Sequence, residues 1–320
     1  MNTRERVGAE AIGFANIALI KYMGKRDPDG NVAFNPSLSY TLPHLKSTVA
    51  VSAALTGPDR WEMLPGAGSI RMRLSREGEG RFLGYVRKLC DLWGYRQSVL
   101  VRSANNFPAD AGIASSASSF CAATKAVAAF LRRHETPAQL ARLSRTASGS
   151  SCRSFFEPWC MWDGDSIHAL DFHVGHLMHM VVIVDGGRKT VSSSDAHLRV
   201  TRSPHFSGRV NRARMRMDQL LPVLESSDWR SAYEICSAEF EDMHELFHTS
   251  DPPFRYRTPD SDRVVQDCAD LWATQRDGPI VTMDAGPNVH LLFRRDQQAL
   301  LSKLHERYSR SHPVISSEAA

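Results

Sequence analysis

Several stretches of the chain gather side chains suited to holding and activating an anionic substrate. Residues 105–119 (NNFPADAGIASSASS) place a glycine and a run of serines ahead of an alanine-rich segment, residues 120–133. Ala, Leu, Lys and Arg favour helix, and nothing in that segment breaks one. Gly112 lets the backbone turn tightly and approach a ligand closely. The serines offer hydroxyls at a helix start, where backbone N–H groups lack internal partners and the helix dipole is positive. Exposed amides, small side chains and a positive helix end together make an anion site, and the reading is a phosphate-binding loop. It is not a Walker loop, because the GxxxxGK[ST] lysine is absent. An ordinary capped helix start is the competing reading.

Residues 21–27 (KYMGKRD) close an apolar run with a dense basic and aromatic cluster. A strand end reaching solvent explains this as well as a binding role does. In residues 148–154 (SGSSCRS) a single arginine, Arg153, stands among hydroxyls. Its fork suits bidentate binding of a carboxylate or phosphate; a serine-rich turn with Arg153 in solvent is the competing reading, and the one the loop alone favours. Residues 186–194 (GGRKTVSSS) repeat the basic, hydroxyl-rich character after a buried-type strand. Asp284 sits in residues 281–292 (VTMDAGPNVHLL), where Gly, Pro and Asn mark a hairpin turn. A carboxylate directly after a buried strand needs a partner, and the turn does not supply one.

The elements that must position these residues follow from periodicity. Residues 11–22 read as an interior strand or strand pair, residues 47–55 as a half-buried strand, and residues 70–74 as a strictly alternating one. Residues 98–104 form a strand leading into the glycine-serine loop, and residues 177–185 a buried strand. Phe82, Val86, Leu89 and Trp93 have helical spacing. Thr136 and Pro137 read as N-cap and first residue of a helix running through Ala147. Three further helices are expected over residues 207–224, 228–247 and 261–275. In the second, Trp229, Tyr233, Cys236, Phe240, Met243 and Phe247 form a packing stripe, and His244 beside it is either a buried, satisfied histidine, the favoured reading, or one that faces a site. The arginines at 209, 212, 214 and 216 fit the solvated face of a helix, with nucleic acid as the weaker alternative.

The totals exclude several classes. With 42% hydrophobic and 23% charged residues, the chain is neither disordered nor fibrous. A net charge of +4 with scattered basic residues gives no nucleic-acid signature. The six cysteines lie far apart without a C-x-x-C pair, which argues against a zinc site or disulfide framework and suits a reducing cytoplasm. The N-terminus lacks a signal-type apolar run, and no apolar stretch approaches membrane-spanning length, so a soluble cytoplasmic protein is expected.

Taken together, the motifs resemble a known family. Residues 16–27 (NIALIKYMGKRD) are similar to the N-terminal signature of mevalonate diphosphate decarboxylases, members of the GHMP kinase superfamily. The same family matches residues 105–119, 148–154, 189–194 and 284–288 in order along the chain. The resemblance implies an α+β, GHMP kinase-like two-lobed fold with the active site in the cleft. It implies an N-terminal ATP-binding domain over residues 1–175 and a C-terminal domain over residues 176–320. The implied reaction phosphorylates the 3-hydroxyl of mevalonate 5-diphosphate with ATP and Mg2+. Phosphate and CO2 then leave to give isopentenyl diphosphate. Asp284, Lys21 and Arg153 would be catalytic. Tyr22, Met23, Gly24, Lys25, Arg81, Ser148, Gly149, Ser150, Ser151, Cys152, Ser193 and Ser194 would line the substrate site. Asn106, Pro108, Gly112, Ala114, Ser115, Ser116 and Ser118 would hold ATP, with Mg2+ carried by the phosphates and Ser116. The resemblance also implies a homodimer, with no nucleic-acid or membrane partner.

Two departures stand out against the family pattern. Met23 occupies a position usually held by tryptophan, and Ser194 one where threonine is common. Met23 keeps apolar bulk but loses a rigid ring and an N–H donor. A 3-kinase that stops before decarboxylation, a decarboxylase of the monophosphate, and a silent ligand-binding relative remain the alternatives.

Overall fold

The computed structural model describes residues 8–66, 74–108, 115–187 and 190–317. In chain order the elements are strands β1 (Ala9–Ile20), β2 (Lys25–Asp27), β3 (Val32–Ala33), β4 (Ser37–Ala53) and β5 (Arg60–Met63), then helix α1 (Arg76–Leu92). Strand β6 (Val99–Asn105), helices α2 (Ser115–Phe130) and α3 (Pro137–Arg145), and a 3-10 segment (Gly149–Phe155) come next. Strands β7 (Trp159–Asp163), β8 (Ser166–Leu170) and β9 (Met178–Val182) lead to α4 (Ser193–Arg199), α5 (Phe206–Glu225), α6 (Trp229–His248) and α7 (Pro259–Gln275). The chain closes with β10 (Ile280–Met283), β11 (Val289–Phe293), α8 (Gln298–Ser309) and β12 (Val314–Ser316). Helices and sheets are both abundant, so the α+β class expected from the sequence holds. No helix among the described residues is long and apolar enough to cross a membrane.

The chain folds as two compact units. Among the described residues the first comprises 8–16, 41–66, 74–108 and 115–156, and the second 17–40, 157–187 and 190–317. In the first, β6 lies between parallel β5 and the antiparallel second half of β4. Val49, Val51, Val99 and Val101 of this sheet pack against Phe82, Val86 and Leu89 of α1 and Phe120 and Val127 of α2. Gly13 of β1 has no room for a side chain: a Cβ there would lie 2.2 Å from the Ser118 carbonyl oxygen and 2.8 Å from the Ala122 amide. Strand and helix backbones therefore approach directly, which seats the start of α2. Thr136 caps α3 by accepting from the Gln139 N–H, with proline in the first turn as the sequence predicted.

In the second unit an antiparallel sheet runs in the order β10-β11-β9-β12. One face carries Met180, Val182, Val281, Met283, Val289, Leu291 and Phe293 into a core with Phe240, Val264, Leu301 and Leu304. The alternation places Thr282 on the opposite face, where its hydroxyl donates to the Ala18 carbonyl at 3.4 Å. The expected stripe of α6 is core: Trp229, Cys236, Phe240, Met243 and Phe247 are all buried. Tyr233 stacks on Trp272 at 4.7 Å.

The expectation of a solvated basic face holds for Arg214, which is exposed, and fails for Arg209. Arg209 is not on a solvated face but wholly buried, clamped by Glu239 and by Asp242 at 2.8 Å. Arg216 bonds the same two carboxylates at 3.0 and 2.8 Å, and Arg212 bonds Asp242 at 2.7 Å. Burial alone would raise the Asp242 carboxyl, yet hydrogen bonds and charge from Arg212, Arg209 and Arg216 hold it below the usual carboxylate range. Acidic residues of α6 supply what the arginines of α5 need, a long-range pairing that periodicity within one helix does not encode. Residues 70–73 of the expected alternating strand lie outside the described residues.

Candidate functional site

The Asp284 turn sits between β10 and β11, which pair from Met283↔Val289 to Ile280↔Leu292. The turn is fixed at each corner. The Gly286 N–H donates to the Asp284 carbonyl at 2.8 Å, and the Ser261 hydroxyl to the Pro287 carbonyl at 2.7 Å. The Asn288 side-chain oxygen accepts from the Asp185 N–H at 3.2 Å. The partner that the isolated carboxylate required is Lys21, whose Nζ lies 2.7 Å from Asp284 Oδ1. The Lys21 side chain is 2% exposed and that of Asp284 30%, so the ammonium is sequestered while the carboxylate still reaches solvent. An ammonium this close favours the ionised carboxylate.

The Lys21 main chain is held as firmly. Its N–H donates to Glu239 Oε1 at 2.9 Å, and its carbonyl accepts from Asn35 Nδ2 at 2.9 Å and Arg209 Nη2 at 3.1 Å. Glu239 and Arg209 carry no motif around them, and sequence reasoning misses both as supports of the site. The one signal for Glu239 is a charged residue inside the apolar stripe of α6.

The residues after Lys21 turn sharply. Gly24 has φ +86° and a Cβ there would lie 2.7 Å from the Phe206 ring, so only glycine fits without strain. Its N–H donates to His197 Nδ1 at 3.0 Å, and the Tyr22 ring lies between the His197 ring at 4.2 Å and Trp162 at 4.8 Å. His197 escapes sequence reasoning because it falls three residues beyond Ser194, inside α4. Ser193 and Ser194 form the exposed first turn of that helix, capped by Ser192. Lys25 opens β2 opposite Ala33. Met23 is packed into an apolar cluster with Val191, Ala196, Met243, Phe247, Tyr256 and Ala285 and is 2% exposed. At this position methionine fills core volume.

In the first unit, the 3-10 segment sorts its own residues. Ser151 is buried and donates to the Ser148 carbonyl at 2.7 Å, and the Cys152 thiol donates to the Gly149 carbonyl at 3.2 Å. Burial pushes the Cys152 thiol up to about 12, so it is neither a thiolate nor an exposed donor. Ser148 and Ser150 remain half-exposed, and the Ser148 hydroxyl bonds that of Ser116 at 3.3 Å. Arg153 is buried, with Nε donating to Asn16 Oδ1 at 3.3 Å. The Asn16 amide in turn donates to the Ser150 carbonyl and the Ser154 hydroxyl at 3.2 and 2.8 Å. Asn16 therefore organises the whole loop. Arg81 reaches the carbonyl of Ala147, next to Ser148, at 3.0 Å.

Of the expected phosphate-loop residues, Gly112 and Ala114 lie outside the described residues. Ser115 and Ser116 begin α2, whose first turn contains no acidic residue, as an anion site requires. Ser116 is exposed, whereas Ser118 is buried and shares a 2.7 Å hydrogen bond with Ser47. Asn106 is tied to β4, accepting from the Lys46 N–H at 2.8 Å and donating to the His44 carbonyl at 2.8 Å; Pro108 follows, half-buried. Among the described residues no cluster of carboxylates, histidines or cysteines could hold a metal ion.

Comparison with known proteins bears on the whole chain. Residues 13–170 match the diphosphomevalonate decarboxylase-like N-terminal domain, and residues 179–318 the mevalonate 5-diphosphate decarboxylase C-terminal domain. A crystal structure of a mevalonate diphosphate decarboxylase from Legionella pneumophila is 41% identical, with a TM-score of 0.89 over 97% of this chain and 100% of that one. A structure described as MDDEF in complex with MVAPP, AMPPCP and magnesium is 26% identical, with a TM-score of 0.85 over 97% and 96% of the two chains. The diphosphomevalonate decarboxylase of Eremothecium gossypii is 29% identical over 89% of this chain and 77% of its own. The chain belongs to the mevalonate diphosphate decarboxylase family.

Proposed function

We propose that the protein decarboxylates mevalonate 5-diphosphate at the expense of ATP, giving isopentenyl diphosphate, ADP, phosphate and CO2. The observation that carries the reading is the Lys21–Asp284 pair: a sequestered ammonium 2.7 Å from a carboxylate that solvent can still reach. In the proposed reaction Asp284 orients the tertiary 3-hydroxyl and accepts its proton as that oxygen takes the γ-phosphoryl group. Lys21 keeps the carboxylate ionised and balances charge as the proton moves. The C–O bond then breaks with its electron pair leaving on phosphate. Electrons of the bond to the carboxyl carbon form the new double bond as CO2 departs.

Arg153 is the proposed clamp on the substrate carboxylate, its guanidinium pre-set by Asn16. Tyr22, Lys25, Ser148, Ser150, Ser194 and Arg81 are proposed to bind the diphosphate. The rigid turn at Gly24 and the half-exposed hydroxyls support this. Ser115 and Ser116 at the α2 start are proposed to meet the ATP phosphates. Mg2+ bound with the nucleotide would neutralise charge on those phosphates. The six cysteines are free and buried, which supports a reducing cytoplasmic setting.

The test offers mevalonate, its 5-phosphate and its 5-diphosphate separately to the purified protein with ATP and Mg2+, following ADP. Turnover of the diphosphate alone is the expected result. Turnover of the monophosphate would relocate the specificity, and no ADP from any of the three would reject the reading.

A further inference from the structure

Helix α6 touches the main chain on both sides of the Lys21–Asp284 pair. Glu239 accepts from the Lys21 N–H at 2.9 Å. His244, five residues further along the helix, lies 3.2 Å from the Asp284 carbonyl oxygen through Nε2. We propose that His244 is a positioning residue for Asp284, and that α6 sets the geometry of the reacting pair by holding Asp284 through His244 and Lys21 through Glu239. The inference rests on the reading of Asp284 and Lys21 given above.

The chemistry of His244 is what makes this more than packing. A carbonyl oxygen only accepts, so Nε2 must carry the proton, and in the neutral ring Nδ1 is bare. Nδ1 is buried with no hydrogen-bond partner among the described residues. The ring is 1% exposed and lies edge-on to Phe240 at 6.2 Å and Phe247 at 5.2 Å. An apolar side chain would suit those neighbours better than an imidazole with one nitrogen unsatisfied, because burying an unmatched polar atom is costly. What the imidazole supplies in return is its bond to the Asp284 carbonyl. That carbonyl also receives the Gly286 N–H at 2.8 Å, so both its lone pairs are engaged and the peptide plane that aims the carboxylate cannot rotate freely.

Glu239 is fixed in its own right. Its carboxylate is fully buried and bonded by Arg209 and by Arg216 at 3.0 Å, so the oxygen facing the Lys21 N–H has no freedom to move. Five residues span about 7.5 Å along a helix axis. One rigid rod thus carries both anchors, and a change in either shifts one partner of the pair against the other.

The experiment compares native protein with His244→Phe and His244→Gln, measuring kcat, KM for both substrates and thermal midpoint. Phenylalanine keeps a ring but has no N–H, whereas the glutamine amide places an N–H donor near the Nε2 position. His244→Phe is expected to lower kcat by roughly tenfold to a hundredfold with KM nearly unchanged, since small misplacements of reacting groups act on the transition state. His244→Gln is expected to recover most of that loss. Native kcat in the phenylalanine variant, equal damage in both variants, or a loss confined to KM would overturn the proposal. Should His244→Phe not fold, 15N spectra of the native imidazole decide the matter: a proton on Nδ1 in place of Nε2 at neutral pH would contradict it. Asp284→Asn in the same assay separates the two readings. If that variant keeps turnover, the assignment of the site fails whatever His244 does; if it is dead while His244→Phe is not, only the positioning role fails.

Discussion

Asp284 and Arg153 show how differently two catalytic candidates are built. Asp284 is recognisable in the sequence as a carboxylate that follows a buried strand and needs a partner. Lys21 supplies that partner from residues far away in the chain, at 2.7 Å. Arg153 stands out as a lone guanidinium among hydroxyls, but its support, Asn16, lies 137 positions away and leaves no local trace. Arg153→Lys keeps the charge and loses the fork. One charge-assisted hydrogen bond is worth about 1.5–3 kcal/mol, so kcat is expected to fall by roughly tenfold to a hundredfold in steady-state assays. Unchanged kinetics would remove Arg153 from the reacting site. Glu239→Ala leaves Arg209 buried with Asp242 as its remaining acidic partner. A loss of about 3 kcal/mol in urea unfolding is expected, because removing one partner from a buried ion-pair cluster costs far more than losing an exposed pair.

Among the elements, those set by short-range rules are legible in the sequence and those set by distant partners are not. The cap and proline of α3 and the apolar stripe of α6 follow from spacing alone. Strand β4 begins at Ser37, well before the alternating stretch that announces it. Ser37, Ser39 and Thr41 are buried hydroxyls there, and a run of polar residues reads as loop unless their partners are known. The Thr41 hydroxyl, for example, donates to the distant Phe156 carbonyl at 2.9 Å. Strands β7, β8 and β12 go unassigned in the sequence reading, as does helix α8, although Leu301, Leu304 and Tyr308 have helical spacing and are buried.

The packing of these elements is open to test. Gly13→Ala drives a methyl group into the backbone of α2, and a loss of about 1–3 kcal/mol is expected from the thermal midpoint. A silent substitution would mean that strand and helix can part without cost. Helix α6 also carries a pH dependence. Burial, with Arg257 and Lys21 nearby, pushes the His244 imidazole down to about 3 from 6.5. The unfolded chain therefore takes up this proton first as pH falls, and stability drops between pH 6.5 and about 3. Urea unfolding of the native protein and His244→Phe at pH 7 and pH 5 should show a smaller decline in the variant. Parallel declines would place the acid sensitivity elsewhere.

For the whole molecule, the α+β class and the family can be read from motif order, since blocks spread over most of the chain fall in register. The detailed use of each motif cannot. Within 148–154 the hydroxyls of Ser148 and Ser150 are presented while Ser151 and Cys152 hold the turn, and Met23 fills core volume. Such sorting depends on which way each side chain faces, which a loop sequence without periodicity does not encode. Phosphoryl transfer and decarboxylation are coupled in the proposed reaction, so their products must appear together. The decisive measurement counts CO2 and ADP in the same reaction from carboxyl-labelled mevalonate 5-diphosphate, with native protein and with Asp284→Asn. One CO2 per ADP from the native protein is the expected result. In the folded, ATP-binding variant both products should fall together by roughly 10²–10⁴, the usual contribution of a positioned base. ADP without CO2, or an Asp284→Asn variant as fast as the native protein, would contradict the account.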